Sequence, residues 1–192
     1  GMSNLEDINL ALGQLYKAGT ETKDITILHC TTEYPAPLSD VHLRAMQTIQ
    51  NNFNVKVGYS DHTLGIEVSI AAVALGATVI EKHLTLDRSL SGPDQKASLE
   101  PSEFSNLVNS IRNISIALGT NEKKLRNCEK KNLPLVRKSI VAKKNIKKGE
   151  VFSLDNLSIK RPGTGISPMK IDQIIGVRSK RDFRVNDLII LK

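Results

Sequence analysis

The chain has 192 residues, 40% of them hydrophobic, and a formal net charge of +7 at pH 7. This length suits one domain of ordinary size plus a small one. Its apolar runs fall short of the roughly 20 residues that span a bilayer. Its two cysteines, Cys30 and Cys128, lie far apart in no metal or redox motif, and we interpret both as inert thiols. We therefore expect no membrane association, no disulfide framework and a cytoplasmic location.

Charged residues are unevenly distributed along the chain. Residues 1–130 contain 12 basic and 15 acidic residues, a net charge of −3, whereas residues 131–192 contain 15 and 5, a net charge of +10. Such a change in charge indicates a domain boundary. We assign residues 1–120 to a first domain, 121–134 to a linker and 135–192 to a second domain.

Helix and strand patterns alternate through the first 50 residues. Polar residues 3–4 can cap a helix that begins at Leu5, carries an apolar stripe and ends at Gly19. Residues 24–30 have the composition of a buried strand, and the two prolines that follow it predict an extended loop. Residues 40–49 then have the pattern of a second helix.

Two strand patterns flank a helix between residues 55 and 85. The strands are residues 55–63 and 77–85, and the segment 64–75 between them has helical spacing that Gly76 closes. A strand, a helix and a strand of these lengths predict two parallel neighbours. Because ligands bind at the carboxyl ends of parallel strands, the polar residues there form the candidate site.

Side-chain alternation groups the polar residues at these strand ends. Ser60 and His62 share one face of the first strand, and Glu81 and His83 share one face of the second. Two neutral imidazoles suit a divalent transition metal, with water or substrate completing its shell. A structural role for either histidine is the alternative. Lys82 falls on the opposite face, and we do not assign it to catalysis.

The remaining chain contains a long loop, a helix and a β-rich segment. Residues 86–100 lack periodicity, which is typical of a functional loop, and Pro101 begins a helix that ends at Gly119. Residues 121–131 are highly charged and predict a solvated helix or linker. Further along, the patterns predict strands at 137–142, 149–152, 157–161 and 188–191, a glycine-rich loop at 161–166 and a short helix at 169–175.

Three motifs in this chain resemble the sialic-acid synthase family in both order and spacing. They are GYSDHTLG at residues 58–65, VIEKHLTLDR at 79–88 and GPDQKASLEP at 92–101. That family condenses phosphoenolpyruvate with an N-acetylated amino sugar on a (β/α)8 TIM barrel that carries a divalent metal. The resemblance implies an α/β fold class, in which the first domain is the C-terminal half of such a barrel.

The resemblance also implies roles for individual residues. His62 and His83 would bind the metal, usually Mn²⁺ in this family, with Mg²⁺ or Co²⁺ as alternatives, and with Glu81 they would form the catalytic group. Ser60 would contact phosphoenolpyruvate, and Asp94 would bind the sugar.

Two further segments match the family. Thr32 and Tyr34, in the loop after the first strand, would also hold phosphoenolpyruvate, although many relatives carry Asn where Thr32 stands. Residues 135–192 resemble the SAF domain, a small β-rich, antifreeze-like module of the β-clip type. Its RPGTG loop implies that Arg161 reaches the active site of a partner subunit and contacts the acetamido group of the sugar. We therefore expect a homodimer.

The resemblance covers only the C-terminal half of the barrel plus the SAF domain. We therefore expect the chain to be a piece of a longer protein, with more substrate-binding residues upstream. An open half barrel leaves strand edges and an apolar face uncovered. We expect the piece to be inactive and prone to aggregate by itself.

The expected function is that of an N-acetylneuraminate synthase, which condenses phosphoenolpyruvate with N-acetylmannosamine or a close N-acetyl sugar and releases phosphate. A legionaminic-acid synthase is one alternative, and a non-catalytic sugar-binding or dimerisation module is another. Nucleic-acid binding is not expected, because the basic second domain has no recognised motif and few base-stacking aromatics.

Overall fold

The computed structural model describes residues 1–191. The chain divides into two compact units, Gly1–Thr120 and Asn121–Lys192. Within residues 1–191, every helix is too short or too polar to cross a membrane.

The first unit alternates helices and strands. Its regular elements are α1 (Leu5–Lys17), β1 (Thr26–Cys30), α2 (Ala45–Phe53), β2 (Lys56–Asp61), α3 (Glu67–Ala74), β3 (Ile80–Lys82) and α4 (Pro101–Leu118). Single 3₁₀ turns lie between them at Thr22–Asp24, Leu38–Asp40 and Gln95–Ala97. The order confirms the predicted α/β class of this part of the chain.

The three strands form a parallel sheet in the order β1-β2-β3. In its register, Cys30 lies beside Ser60, and Ser60 lies beside Glu81. Helix α3 connects β2 to β3, so the predicted strand–helix–strand unit is present. All three strands therefore end at one edge of the sheet, where the polar motifs lie.

The hydrophobic core lies between the sheet and its helices. From β2 it takes alternate residues, Val57 and Tyr59, which are at most 1% exposed. Residues of α1, α2 and α3 pack on them, including Leu12, Met46, Ile49 and Ala72. Since strand side chains alternate, Gly58 and Ser60 point to the other face, away from this core.

The residue at which α1 or α2 begins is set by capping and backbone conformation rather than by the spacing of apolar residues. Helix α1 begins as predicted, since Asn4 Oδ1 accepts from the backbone N–H groups of Glu6 and Asp7. Helix α2, in contrast, begins at Ala45 and not at residue 40, so that prediction was wrong. A 3₁₀ turn at Leu38–Asp40 and a φ of 46° at His42 interrupt the helical path.

The second unit has fewer strands than its sequence pattern predicts. It contains α5 (Asn127–Lys130), α6 (Leu133–Val136), β4 (Ser139–Ala142), β5 (Leu157–Lys160) and a 3₁₀ segment at Pro168–Gln173. Strands β4 and β5 are antiparallel. The strands predicted at 149–152 and 188–191 are absent, because each segment makes one isolated bridge, Val151 to Arg178 and Val141 to Leu188.

Gly58 allows the sheet its close packing on the face opposite the core. A Cβ at this position would lie 2.6 Å from the carbonyl oxygen of Val79 and 3.2 Å from Leu28 Cγ. The nearest atom belongs to the backbone, so it cannot rotate away. The absence of a side chain is therefore a packing requirement at this position.

We expect Gly58→Ala to lower the free energy of unfolding by about 1–3 kcal/mol, the usual cost of overpacking. Gly13→Ala is the matched control, because Gly13 lies within α1 and has nothing within 4 Å of its Cβ position. The control should gain about 0.5–1 kcal/mol from helix propensity. Urea unfolding of both variants measures the two shifts. Equal stability of Gly58→Ala and the parent would contradict the close approach.

Candidate functional site

His62 stands at the end of β2 with its tautomer set by the backbone. Its ring is buried, and Nδ1 lies 2.8 Å from the carbonyl oxygen of Thr31. Since a carbonyl only accepts, Nδ1 carries the proton and donates it, which leaves a lone pair on Nε2. The carbonyl of His62 also accepts from the N–H of Ala36 at 2.9 Å, which fixes the loop after β1 on this residue.

His83 stands just after β3, beside His62. The centroids of the two imidazole rings are 5.3 Å apart, and the ring planes are nearly perpendicular at 83°. The carbonyl of His83 accepts from the N–H of Leu99, and Thr85 donates to the carbonyl of Leu99. These two bonds tie the end of the long loop back onto the strand end. The predicted convergence of the two histidines is therefore found.

Carboxylates lie next to both histidines. Ser60 Oγ donates to Glu81 Oε1 at 2.6 Å and lies 3.4 Å from Nε2 of His62. Asp94 Oδ2 is 3.8 Å from Nδ1 of His83, and both of these side chains are partly exposed. The site thus combines two imidazoles, a hydroxyl and two carboxylates at one edge of the sheet.

Tyr34 covers the histidine pair on one side. Its ring centroid is 4.1 Å from that of His62 and 5.5 Å from that of His83. Desolvation, and then the nearby Cys30, Asp94 and Glu81, raise the pKa of its hydroxyl. The phenol therefore stays protonated at neutral pH and can donate a hydrogen bond into the site.

The donor set fits an open metal site and not a closed one. Across residues 1–191, no three His, Cys, Asp or Glu residues converge closely enough to hold a metal ion together. His62 and His83 form a two-histidine donor pair, and the contact of His62 Nδ1 with the Thr31 carbonyl leaves Nε2 as the ring atom that can bind a cation. Two neutral imidazoles with carboxylate oxygens nearby suit a divalent cation whose other ligands are water or substrate.

Two further predicted site residues, Thr32 and Arg161, are exposed. Thr32 is exposed on the same loop as Tyr34 and lies beside Gly1. Arg161 is exposed in the second unit, and its Nε donates to the carbonyl of Val136 at 3.3 Å. Ser139 Oγ bonds the carbonyl of Pro162 and the N–H of Gly165, which holds the RPGTG loop in place.

Three residues near the histidines were not assigned a role from the sequence. Cys30 Sγ lies 3.6 Å from Nδ1 of His62, although its strand pattern indicated only an inert thiol. Asp61 and Lys82 form a buried ion pair on the core side of the sheet. The available signal was the strand alternation, which places Cys30 on the face of Ser60 and Lys82 on the opposite one.

A large cavity of the first unit does not coincide with this cluster. It has a volume of about 950 Å³ and is lined by residues that precede or belong to α2 and α3, among them Val41, Leu43, Val68 and Ala71. Its lining is mainly aliphatic, whereas the converging titratable groups lie at the strand ends. We place the candidate site at the histidines because chemistry follows clustered functional groups rather than volume.

Family models match both parts of the chain. The NeuB family model matches residues 1–123, and the SAF domain model matches residues 137–189. The two matches correspond to the resemblances on which the sequence interpretation rested.

Curated relatives carry synthase names. N,N'-diacetyllegionaminic acid synthase of Campylobacter jejuni is 54% identical over 98% of this chain and 57% of its own length. The Legionella pneumophila protein of the same name is 46% identical over 93% of this chain and 51% of its own. The chain thus spans a little over half the length of these relatives.

A solved structure supports the same relationship. The N-acetylneuraminic acid (sialic acid) synthetase of Leptospira borgpetersenii aligns with a TM-score of 0.62 and 36% identity, over 69% of this chain and 45% of its own. From the family models and these relatives we conclude that the chain belongs to the NeuB family, with an SAF domain after its NeuB region.

Proposed function

We propose that the protein condenses phosphoenolpyruvate with an N-acetylated amino sugar and releases phosphate. The observation that carries the proposal is the pairing of His62 and His83, with ring centroids 5.3 Å apart, beside the carboxylates of Glu81 and Asp94. Membership of the NeuB family supports the same chemistry. On this proposal β1–β3 belong to a (β/α)8 barrel, whose active site lies at the carboxyl ends of its strands.

His62 and His83 are the residues that would hold a divalent cation, with Mn²⁺ as the first choice and Mg²⁺ or Co²⁺ as alternatives. When bound, the cation would supply Lewis-acid polarisation of the sugar aldehyde. The chain contributes the neutral imidazoles, and the Thr31 carbonyl keeps the lone pair of His62 on Nε2.

The bond changes of the proposed condensation suggest roles for the other side chains of the site. The C2=C3 bond of phosphoenolpyruvate opens as C3 forms the new bond to the aldehyde carbon of the sugar, whose oxygen gains a proton and becomes a hydroxyl. Water adds at C2 and loses a proton, and the C2–O bond to phosphate then breaks to leave a ketone at C2. Glu81 would take a proton from a sugar hydroxyl or from the water, and its hydrogen bond from Ser60 at the strand ends supports that role. Tyr34 and Ser60, with Thr32, would hold phosphoenolpyruvate, while Asp94 would bind the sugar.

The relatives favour one sugar class among those considered. Both curated relatives described above are named for a legionaminic acid that carries two acetylated amines, whereas the solved relative is named for N-acetylneuraminic acid. Higher identity to the former supports a sugar with two acetamido groups over N-acetylmannosamine. The rest of the barrel and a partner subunit, which contributes Arg161, would complete the site.

The first test is phosphate release from phosphoenolpyruvate by the protein of the whole reading frame. We expect release to require the sugar and Mn²⁺, to stop with a chelator and to be faster with a diacetamido hexose than with N-acetylmannosamine. The 192-residue chain alone is the matched control and should be inactive. Absence of phosphate release with every N-acetyl sugar tested would contradict the proposal and favour the non-catalytic binding module.

His62→Ala should remove metal dependence and turnover together, by 100-fold or more in kcat, because one of two protein ligands is lost. His42→Asn is the control, since this exposed histidine has a positive φ that Asn tolerates. Steady-state kinetics across a Mn²⁺ titration measure both variants. Metal-stimulated turnover by His62→Ala at the parental rate would rule out the assignment of this ligand.

Arg161→Ala should raise the KM for the sugar about tenfold with a smaller effect on kcat, since one charged hydrogen bond of about 1.5 kcal/mol is lost. Lys170→Ala, an exposed cation of the same unit, controls for the change in charge. An unchanged KM for the sugar would show that Arg161 does not reach a partner's site.

A further inference from the structure

A buried ion pair lies directly behind the histidine pair. Nζ of Lys82 is 3.2 Å from Oδ2 of Asp61, and the two side chains are 1% and 0% exposed. Asp61 is the last residue of β2 and Lys82 the last of β3, and the two are register partners in the parallel sheet. The pair therefore joins the ends of the two strands on the face opposite the site.

The Lys82 ammonium contacts both chain neighbours of His62, Asp61 through its carboxylate and Thr63 through its backbone carbonyl. Besides the Asp61 carboxylate, it donates to the carbonyl oxygen of Thr63. Asp61 and Thr63 are the chain neighbours of His62, and Lys82 is the chain neighbour of His83. The Lys82 ammonium thus contacts the end of β2, which carries His62. Lys82 itself belongs to the end of β3, next to His83.

The Asp61 carboxylate has hydrogen-bond partners at both oxygens. Oδ1 accepts from the backbone N–H of Thr63 at 2.8 Å and from its Oγ1 at 2.7 Å. Oδ2 accepts from Oγ of Ser69 in α3 at 2.5 Å, in addition to the ammonium. Only the ammonium links this carboxylate to β3, whereas Ser69 links it to the helix.

A contribution to folding stability alone does not explain why a buried ion pair occupies this position. Removing two charges from water is costly, and well-packed apolar residues in the same place are often no less stabilising. What two apolar side chains do not provide is directional bonding to fixed backbone atoms. Such bonding matters for a two-histidine centre, because supporting groups around a metal orient its ligands.

We propose that the Asp61–Lys82 pair positions His62 and His83 for one shared divalent cation. The inference rests on the proposed function, since it assumes that the two imidazoles bind a metal. Lys82 and Asp61 are positioning residues, because they touch the strand ends from the core side and not the substrate face. The competing view is that the pair only contributes to folding.

Three variants separate these views. Lys82→Met keeps the length of the side chain and removes the ammonium. The double variant Asp61→Asn with Lys82→Met removes both charges, so that no unpaired buried charge is left. Ser69→Ala is the matched control, because it removes one hydrogen bond to the same carboxylate without touching the link to β3.

The measurements are the Mn²⁺ Kd by electron paramagnetic resonance, the visible absorption spectrum of bound Co²⁺ and the urea midpoint, all on the protein of the whole reading frame. We expect Lys82→Met and the double variant to weaken Mn²⁺ binding by 10- to 100-fold and to alter the Co²⁺ spectrum. The double variant should recover stability relative to Lys82→Met without recovering affinity. Ser69→Ala should lower the midpoint and leave the Kd within twofold of the parent.

Parental Kd and spectrum in the double variant would overturn the positioning role while leaving the metal site intact. An equal loss of affinity in Ser69→Ala would also overturn it, because the effect would then follow stability. Failure of the parent protein to bind Mn²⁺ or Co²⁺ would overturn the metal centre of the proposed function itself. The parent measurement therefore distinguishes the two failures.

Discussion

The alternation of side chains along three parallel strands is the constraint on which the rest of the first unit depends. Consecutive residues of β2 must point to opposite faces, so Tyr59 enters the core while Ser60 faces Glu81. The register then places each polar residue beside one on the next strand. A slip of one residue would exchange the two faces and remove both the core and the site.

Because of this alternation, the two faces of the sheet carry different kinds of side chain. The open face carries the two imidazoles, a hydroxyl and carboxylates, of which His62 and Ser60 are buried while His83 and Asp94 are partly exposed. The packed face carries apolar side chains and one ion pair, Asp61 with Lys82, whose partners are all internal. The candidate site and the hydrophobic core therefore lie on opposite faces of the same β-sheet.

The features that could be predicted from the sequence are those set by regular strand and helix patterns. The meeting of His62 and His83 was predictable because it needs only strand alternation and a helical crossover, which are both local patterns. The start of α2 was not, because a positive φ at His42 leaves no mark on apolar spacing. The absent strands of the second unit depend on isolated bridges, and the contact of Cys30 with His62 and the burial of Lys82 depend on individual side-chain partners in other elements. Pattern analysis has no access to such partners.

The close contact of the Tyr34 ring with His62 has an optical consequence. The chain contains no tryptophan and three tyrosines, so tyrosine emission is not masked by indole fluorescence. Tyr59 is fully buried, and Tyr16 lies on α1, whereas the Tyr34 ring is 4.1 Å from an imidazole of the candidate centre. A paramagnetic ion at that centre would quench Tyr34 most strongly. Within this chain, Tyr34 is therefore the tyrosine whose emission would report occupancy of the candidate centre.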